Sequence, residues 1–159
     1  MSISPLTGLD WQILELLQRN GRIKITELAA MLSRSRSTIT EHIARLQERG
    51  VLGSFSAEVD EEKLGFGISA FVRLHAPSKH HRDIIKAITG IPEVAECHVL
   101  TGSDLLMIRV VARDMPHLRE LVDGFTRFGS TVTDVIFSTL KNRVQIDQRL
   151  RKSAQGRGT

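Results

Sequence analysis

Apolar residues recur at helical spacing through the first fifty positions and mostly at strand spacing afterwards, so the chain falls into two differently patterned halves. In the first half, Leu9, Ile13, Leu16 and Leu17 form one stripe and predict a helix over residues 9–19. Thr7 and Asp10 have the spacing of a capping pair at its start, and Asn20-Gly21 ends it. Leu28, Ala29 and Leu32 predict a second, shorter helix with Thr26 as its N-cap. Ser33 and Arg34 break that pattern. Ser35 then caps a third helix, in which Ile39, Ile43 and Leu46 share one narrow face and Gly50 supplies a left-handed stop. Residues 26–50 therefore read as two short helices joined by a tight polar turn, a helix-turn-helix, with the first helix packed across them. After Gly50, Val51, Phe55, Ala57 and Val59 follow the period of a half-buried strand bordered by Gly53. This stretch, over about residues 51–64, is read as a wing; a linker strand joining two domains has the same pattern and is compatible with it.

From residue 65 onward strands and helices alternate. Ile68, Ala70, Val72 and Leu74 mark one face of a strand ending near Pro77, and residues 82–90 carry Ile84 and Ile88 at helical spacing. Residues 94–101 alternate again, residues 102–104 form a turn, and residues 105–112 are an almost continuously apolar strand. Asp114 can cap a helix bearing Leu118, Leu121, Val122 and Phe125, and Gly129-Ser130 opens a last strand over 131–140. The order β-α-β-β-α-β is the ferredoxin-like pattern, in which both helices cover one face of an antiparallel sheet. The fold class is thus α+β. Phe71, Cys97, Val99, Val135 and Phe137 are expected on the other face, buried against a second subunit. The domain plan is residues 1–60, residues 65–144 and a tail over 145–159.

The net charge of +4 suits a polyanionic partner, but its distribution changes the picture. Residues 1–60 carry seven Lys/Arg against seven Asp/Glu, residues 61–140 nine against ten, and residues 141–159 six against one. The excess sits in the basic tail, whose composition predicts a mobile end that either adds salt-sensitive DNA attraction or only aids solubility. The single cysteine, Cys97, excludes an intrachain disulfide and fits a cytoplasmic setting. The opening residues lack a charged region followed by an apolar core, and the apolar run at 105–108 is too short to span a bilayer, so no membrane association is expected.

The chemistry lies on the third helix. Arg34, Ser35, Arg36, Ser37, Thr38, Thr40 and Glu41 crowd its start away from the apolar stripe, with Arg45 further along, as a helix laid in the major groove of double-stranded DNA requires. Arg22 and Lys24 lie beside the motif as candidate phosphate clamps. A plain helical hairpin with a solvated face shares the spacing; the flanking helix and alternating strand favour the DNA-binding reading. His80-His81 point apart on any regular element and lack a third ligand nearby, so no metal is expected. Cys97 reads as a small buried hydrophobe. No Ser-His-Asp order, phosphate-binding glycine loop or paired carboxylate stands out, which argues against an enzyme built on the second half, and no cofactor is expected.

The strings LDWQILELLQRNGRI, ELA through LQERGVL, VDEEKLGFGISAFV, PEVAECHVLTGSDLLMIRV and DVIFSTL, in this order over residues 9–141, resemble the Lrp/AsnC family of bacterial and archaeal transcription regulators. The resemblance implies a winged helix-turn-helix joined to an effector-binding regulatory domain. It further implies dimers that assemble to higher oligomers, often octamers, with an amino acid bound where dimers meet, beside the turn between the second and third strands. By position that turn is Thr101, Gly102, Ser103, Asp104, Leu105 and Leu106. Asp104 can pair with an α-ammonium while the turn amides bind an α-carboxylate; a turn aspartate capping its own backbone has the same sequence. Thr131 and Thr133 are weaker effector candidates, since threonine is also a good strand residue. A regulator that uses its second domain only to oligomerise, without an effector, is the alternative.

Overall fold

The computed structural model describes residues 5–76, 81–102, 106–147, 150 and 152. It divides into two compact units, one of Met1–Ala57 with Asn142–Thr159 and one of Glu58–Lys141.

The first unit holds α1 (Gly8–Arg19), α2 (Ile25–Met31) and α3 (Arg36–Glu48). Their apolar stripes meet in a core of Ile13, Leu14, Leu17, Leu28, Ala29, Ile39 and Leu46. Each large side chain buried there contributes about 1.5–3 kcal/mol against exposure. Thr7 and Asp10 close a reciprocal capping box on α1, and the Ser35 hydroxyl caps α3 by accepting the Thr38 N–H at 3.1 Å. Gly50, at φ 65°, ends α3, and the amides of Val51 and Leu52 both return to the Leu46 carbonyl. One cap differs from expectation. Thr26 lies inside α2, because the Lys24 carbonyl already accepts from Glu27 and Leu28 and so makes Lys24 the N-cap, without a side-chain bond.

The alternation after Gly50 does not become a strand. Residues 53–60 have no regular structure, Phe55 and Val59 are more than half exposed, and a single 3-10 turn, Glu62–Leu64, follows. A strand needs a ladder partner, and this stretch finds none among the described residues.

The second unit is built as the periodicity predicts: β1 (Ile68–His75), α4 (His81–Thr89), β2 (Val94–Val99), β3 (Leu106–Ala112), α5 (Met115–Thr126) and β4 (Ser130–Val135). The sheet order is β2-β3-β1-β4, with every neighbouring pair antiparallel. Ala70, Val72 and Leu74 of β1 and Leu106, Ile108 and Val110 of β3 pack with Ile84 and Ile88 of α4 and Leu118 and Phe125 of α5, so both helices cover one face. β4 is shorter than expected, although the Ile136 amide still reaches the Ser69 carbonyl at 2.8 Å; Phe137 and Leu140 beyond it are almost fully exposed.

The register corrects the expected open face. Cys97 pairs with Ile108, Val99 with Leu106 and Val135 with Ala70, which puts all three on the helix-covered side by pleat. Of the four expected residues that lie within strands, only Phe71 is on the other face, beside Met107, Val111 and Val132 and a set of charged groups; Phe137 falls beyond β4.

Candidate DNA interface and effector region

At the start of α3 the hydroxyl of Ser35 lies 2.8 Å from those of both Ser37 and Thr38, while Thr40 donates to the Arg36 carbonyl at 2.9 Å. These bonds tie the hydroxyls of Ser35, Ser37 and Thr38 to one another and that of Thr40 to the helix backbone. Arg34, Arg36 and Glu41 remain exposed, as do Arg22 and Lys24. The helix N-terminus adds unpaired amides and the positive end of the dipole, which together suit a phosphate. Ser33 enters the turn at φ 51°, a left-handed conformation rare outside glycine, and so sets the sharp angle between α2 and α3.

Arg45 is used differently from expectation. Its guanidinium, partly exposed, reaches Asp10 of α1 at 3.1 Å and so also ties α3 to α1. Asp10 is fully buried. One carboxylate oxygen accepts from His42 at 2.7 Å and from Arg45; the other accepts from the Thr7 amide at 2.7 Å and the Thr7 hydroxyl at 2.8 Å. His42 Nδ1 also lies 3.0 Å from Arg45, which has no lone pair to offer, so the proton on Nδ1 that completes the bond to Asp10 is the consistent assignment. Burial alone would raise the Asp10 pKa. The hydrogen bonds from His42, Thr7 and Arg45 outweigh it and hold the carboxyl well below the usual carboxylate range.

Sequence reading finds Asp10 only as a cap and misses His42. The signal is present: Ile39, His42 and Leu46 share the spacing of one helix face, so His42 is a polar residue at the margin of an apolar stripe.

The effector candidates do not form one cluster. Thr101 and Gly102 are exposed, Gly102 at φ 122°, whereas Ser103, Asp104 and Leu105 lie outside the described residues. Leu106 is fully buried in the sheet–helix core. Thr131 pairs with Leu74 and Thr133 with Val72, so both threonines point under the helices, half-buried. They also stand on an edge strand two strands from β3, roughly 10 Å away at ordinary strand spacing. Within a single chain, then, Leu106 packs in the core while Thr131 and Thr133 stand apart from the turn on the edge strand.

The open sheet face carries a charged network that the sequence did not suggest. Arg109 grips Glu61 with both terminal nitrogens, at 2.9 and 3.0 Å, and Glu96 with Nε at 2.8 Å. Arg73 meets Asp134 at 3.3 Å and His98 meets Glu96 at 3.2 Å. His98 and then Arg109 lower the pKa of Glu96, and Glu61 foremost raises that of Arg109. Burial raises the Cys97 thiol pKa. Among the described residues no helix is long and apolar enough to cross a membrane.

Comparison with known proteins agrees with this division of labour. Residues 6–52 match the family model for a winged helix-turn-helix DNA-binding domain, and residues 69–146 match that for the Lrp/AsnC ligand-binding domain. The chain is 32% identical to YezC of Bacillus subtilis, an uncharacterized HTH-type transcriptional regulator, over 82% of this chain and 92% of that protein. Among solved structures, LrpC of Bacillus subtilis superposes with a TM-score of 0.82 at 24% identity, covering 87% of this chain and 99% of that one. A transcriptional regulator of Neisseria meningitidis in complex with L-Met gives a TM-score of 0.82 at 24% identity, covering 92% and 99%. With both domain models matched in order and a relative aligned almost end to end, the chain belongs to the Lrp/AsnC family: it is a DNA-binding transcriptional regulator with a ligand-binding domain, and not an enzyme.

Proposed function

We propose that the regulator reads a specific operator with the start of α3 and that a small amino acid, bound between subunits beside the β2–β3 turn, modulates that binding. The observation that carries the effector half is the ligand-binding domain match spanning this turn, supported by the Neisseria meningitidis regulator whose structure contains L-Met. The proposed DNA contacts are Arg22 and Lys24 to phosphates and Arg34, Arg36, Ser37, Thr40 and Glu41 along the groove, with Ser35 and Thr38 shaping the helix start. The proposed effector contacts are Thr101 to Leu105. The ion-paired sheet face, with Phe71, Met107 and Val132 between the charges, is the surface proposed to meet a second copy, and such dimers would assemble further, as far as an octamer.

Two measurements test this reading. Arg36→Ala is expected to cost about 1–3 kcal/mol of discrimination between operator and random duplex, because base contacts carry the sequence information. Lys24→Ala should instead weaken both duplexes alike and reduce the salt dependence. Equal losses on the two duplexes for Arg36→Ala would make it a phosphate contact.

For the effector, a thermal-shift screen over the amino acids should find one that raises the unfolding temperature, since a ligand binding only the native state stabilises it by mass action. Asp104→Ala should remove that shift and the response of operator binding, while effector-free operator binding stays near its original value. Coupling between two sites is reciprocal, so operator must alter effector affinity by the same factor as effector alters operator affinity. Full effector affinity in the Asp104 variant would leave it a turn residue. Light scattering that reads a single-chain mass would remove the inter-subunit site.

A further inference from the structure

Two stretches of chain join the regulatory unit to the DNA-binding unit, one after α3 and one after β4, because residues 142–147 belong with the helices and not with the sheet. Their attachment is explicit. The side-chain amide of Gln18 on α1 donates to the Ile146 carbonyl at 3.0 Å and accepts the Ile146 N–H at 2.9 Å. One side chain thus makes the pair of bonds that two facing strand residues exchange, which fixes both the position and the direction of the backbone it holds. The amide is itself oriented by its helix, because its nitrogen also donates to the Leu14 carbonyl at 3.1 Å. Ile146 and Asp147 further line a cavity of about 360 Å³ with Trp11 and Glu15, which share one face of α1 with Gln18 at i, i+4 and i+7. The helix thereby uses two faces: Ile13, Leu14 and Leu17 pack in the core, and the second face seats the returning chain.

The other end of this stretch is equally fixed. The Ile136 amide reaches the Ser69 carbonyl at 2.8 Å and so extends the β1–β4 ladder by one bond beyond β4. From Ile136 to Ile146 the chain spans at most about 33–36 Å, which bounds its slack. The first connection is anchored likewise, by the Leu52 amide on the Leu46 carbonyl at 3.0 Å and by Glu61 on Arg109. A unit held by one unstructured linker swings freely about it. A second anchored linker removes most of that freedom, since closing the ring confines both segments.

We propose that Gln18 is a positioning residue: by clamping Ile146 it makes residues 137–145 a strap that limits the swing of the DNA-binding unit relative to the regulatory unit. A regulator that engages two half-sites at once gains from this, because freedom surrendered on binding weakens affinity. That consequence rests on the proposed assembly of copies, whereas the strap itself belongs to one chain.

The test uses the full chain in its native form, as Gln18→Ala, and with a flexible Gly-Ser insertion after Leu140 that keeps the clamp but slackens the strap. In Gln18→Ala the Ile146 amide should exchange about five- to a hundredfold faster, the scale of two net hydrogen bonds, and in the insertion variant at the native rate. Spin labels report the swing. They are placed at the exposed Glu48 of α3 and Glu120 of α5 through Glu48→Cys and Glu120→Cys in a Cys97→Ala background. Labelled chain is diluted into unlabelled chain so that only pairs within one chain are seen. The distance distribution should be narrow in the native chain and broader by about twofold or more in both variants. On a mixed-sequence duplex long enough for two DNA-binding units, both variants should bind about three- to tenfold more weakly, while a duplex that admits one unit binds all three forms alike. A native width in the insertion variant, or unchanged exchange at Ile146 in Gln18→Ala, overturns the strap. So does a distribution already broad in the native chain. Broadened widths with unchanged affinity for the long duplex overturn the positioning role. No gain in native affinity from the longer duplex would instead refute the assembly reading, and the label widths would still decide the strap.

Discussion

Replacing Asp10 with alanine is expected to lower the stability of the DNA-binding unit by about 3 kcal/mol, a large share of what so small a unit has, and to abolish operator binding with it. The carboxylate is fully buried and accepts from Thr7, His42 and Arg45, so its loss leaves the His42 and Arg45 side chains facing an uncharged gap between α1 and α3. The capping box disappears as well. Since α3 carries the exposed groups proposed to read DNA, a change on α1 far from any base is predicted to act on recognition through packing alone. The readout is urea unfolding followed by the fluorescence of Trp11, the only tryptophan, which lies on α1 itself. A loss below about 1 kcal/mol would show the cluster to be incidental. The same group sets an acid limit. Its folded pKa lies below its unfolded value of about 3.9, so its contribution is complete above pH about 4 and is lost as the pH falls below that toward the folded value. Asp10→Asn should be less stable near neutrality and should lose less than the native chain on acidification.

Why some parts of this molecule are legible in the sequence and others not follows from the range of the interactions concerned. Caps and helix stripes are local: Thr7 with Asp10, Ser35 with Thr38, Asp114 with His117 and Gly50 at positive φ each join residues a few positions apart, and each is where the pattern places it. Strand order is legible because β-α-β-β-α-β admits few arrangements of an antiparallel sheet. The errors are non-local. Polarity marks Arg45 as a DNA candidate, but it does not reveal the buried carboxylate on another helix with which Arg45 pairs. Alternation gives Cys97, Val99 and Val135 two faces to choose from without saying which one the helices cover; the register decides that. The stretch after Gly50 has the right period for a strand but no partner within the described chain, and a pattern cannot supply one. Arg109 reaches Glu61 across a separation of 48 residues, which no window of sequence contains.

Two glycines five positions apart should respond in opposite directions to the same substitution. Gly124 lies on the exposed side of α5, and a Cβ there would meet nothing within 4 Å, so Gly124→Ala removes only the entropy that glycine loses on entering a helix. It should stabilise the chain by about 0.5–1 kcal/mol. Gly129 sits just before β4, where that strand leaves α5 to pair with the end of β1, Ser130 opposite His75. A Cβ on Gly129 would fall on the carbonyl oxygen of His75, with the His75 carbon and the Ala76 Cα also at about 3 Å. These are backbone atoms of the adjacent strand and cannot rotate away as a flexible side chain would. Gly129→Ala must therefore push β4 away from β1 at the start of its ladder. That disturbs the row through Leu74 and Thr131 and the half-buried Phe128, at a cost of about 3 kcal/mol or more. Denaturant unfolding of the two variants at matched concentration measures both signs in one experiment. Because the edge strand belongs to the regulatory unit, Gly129→Ala should also remove the thermal shift given by any effector. Equal stabilities in the two variants would mean that the loop before β4 relaxes freely, and the close approach of Gly129 to His75 would then not define the β1–β4 register.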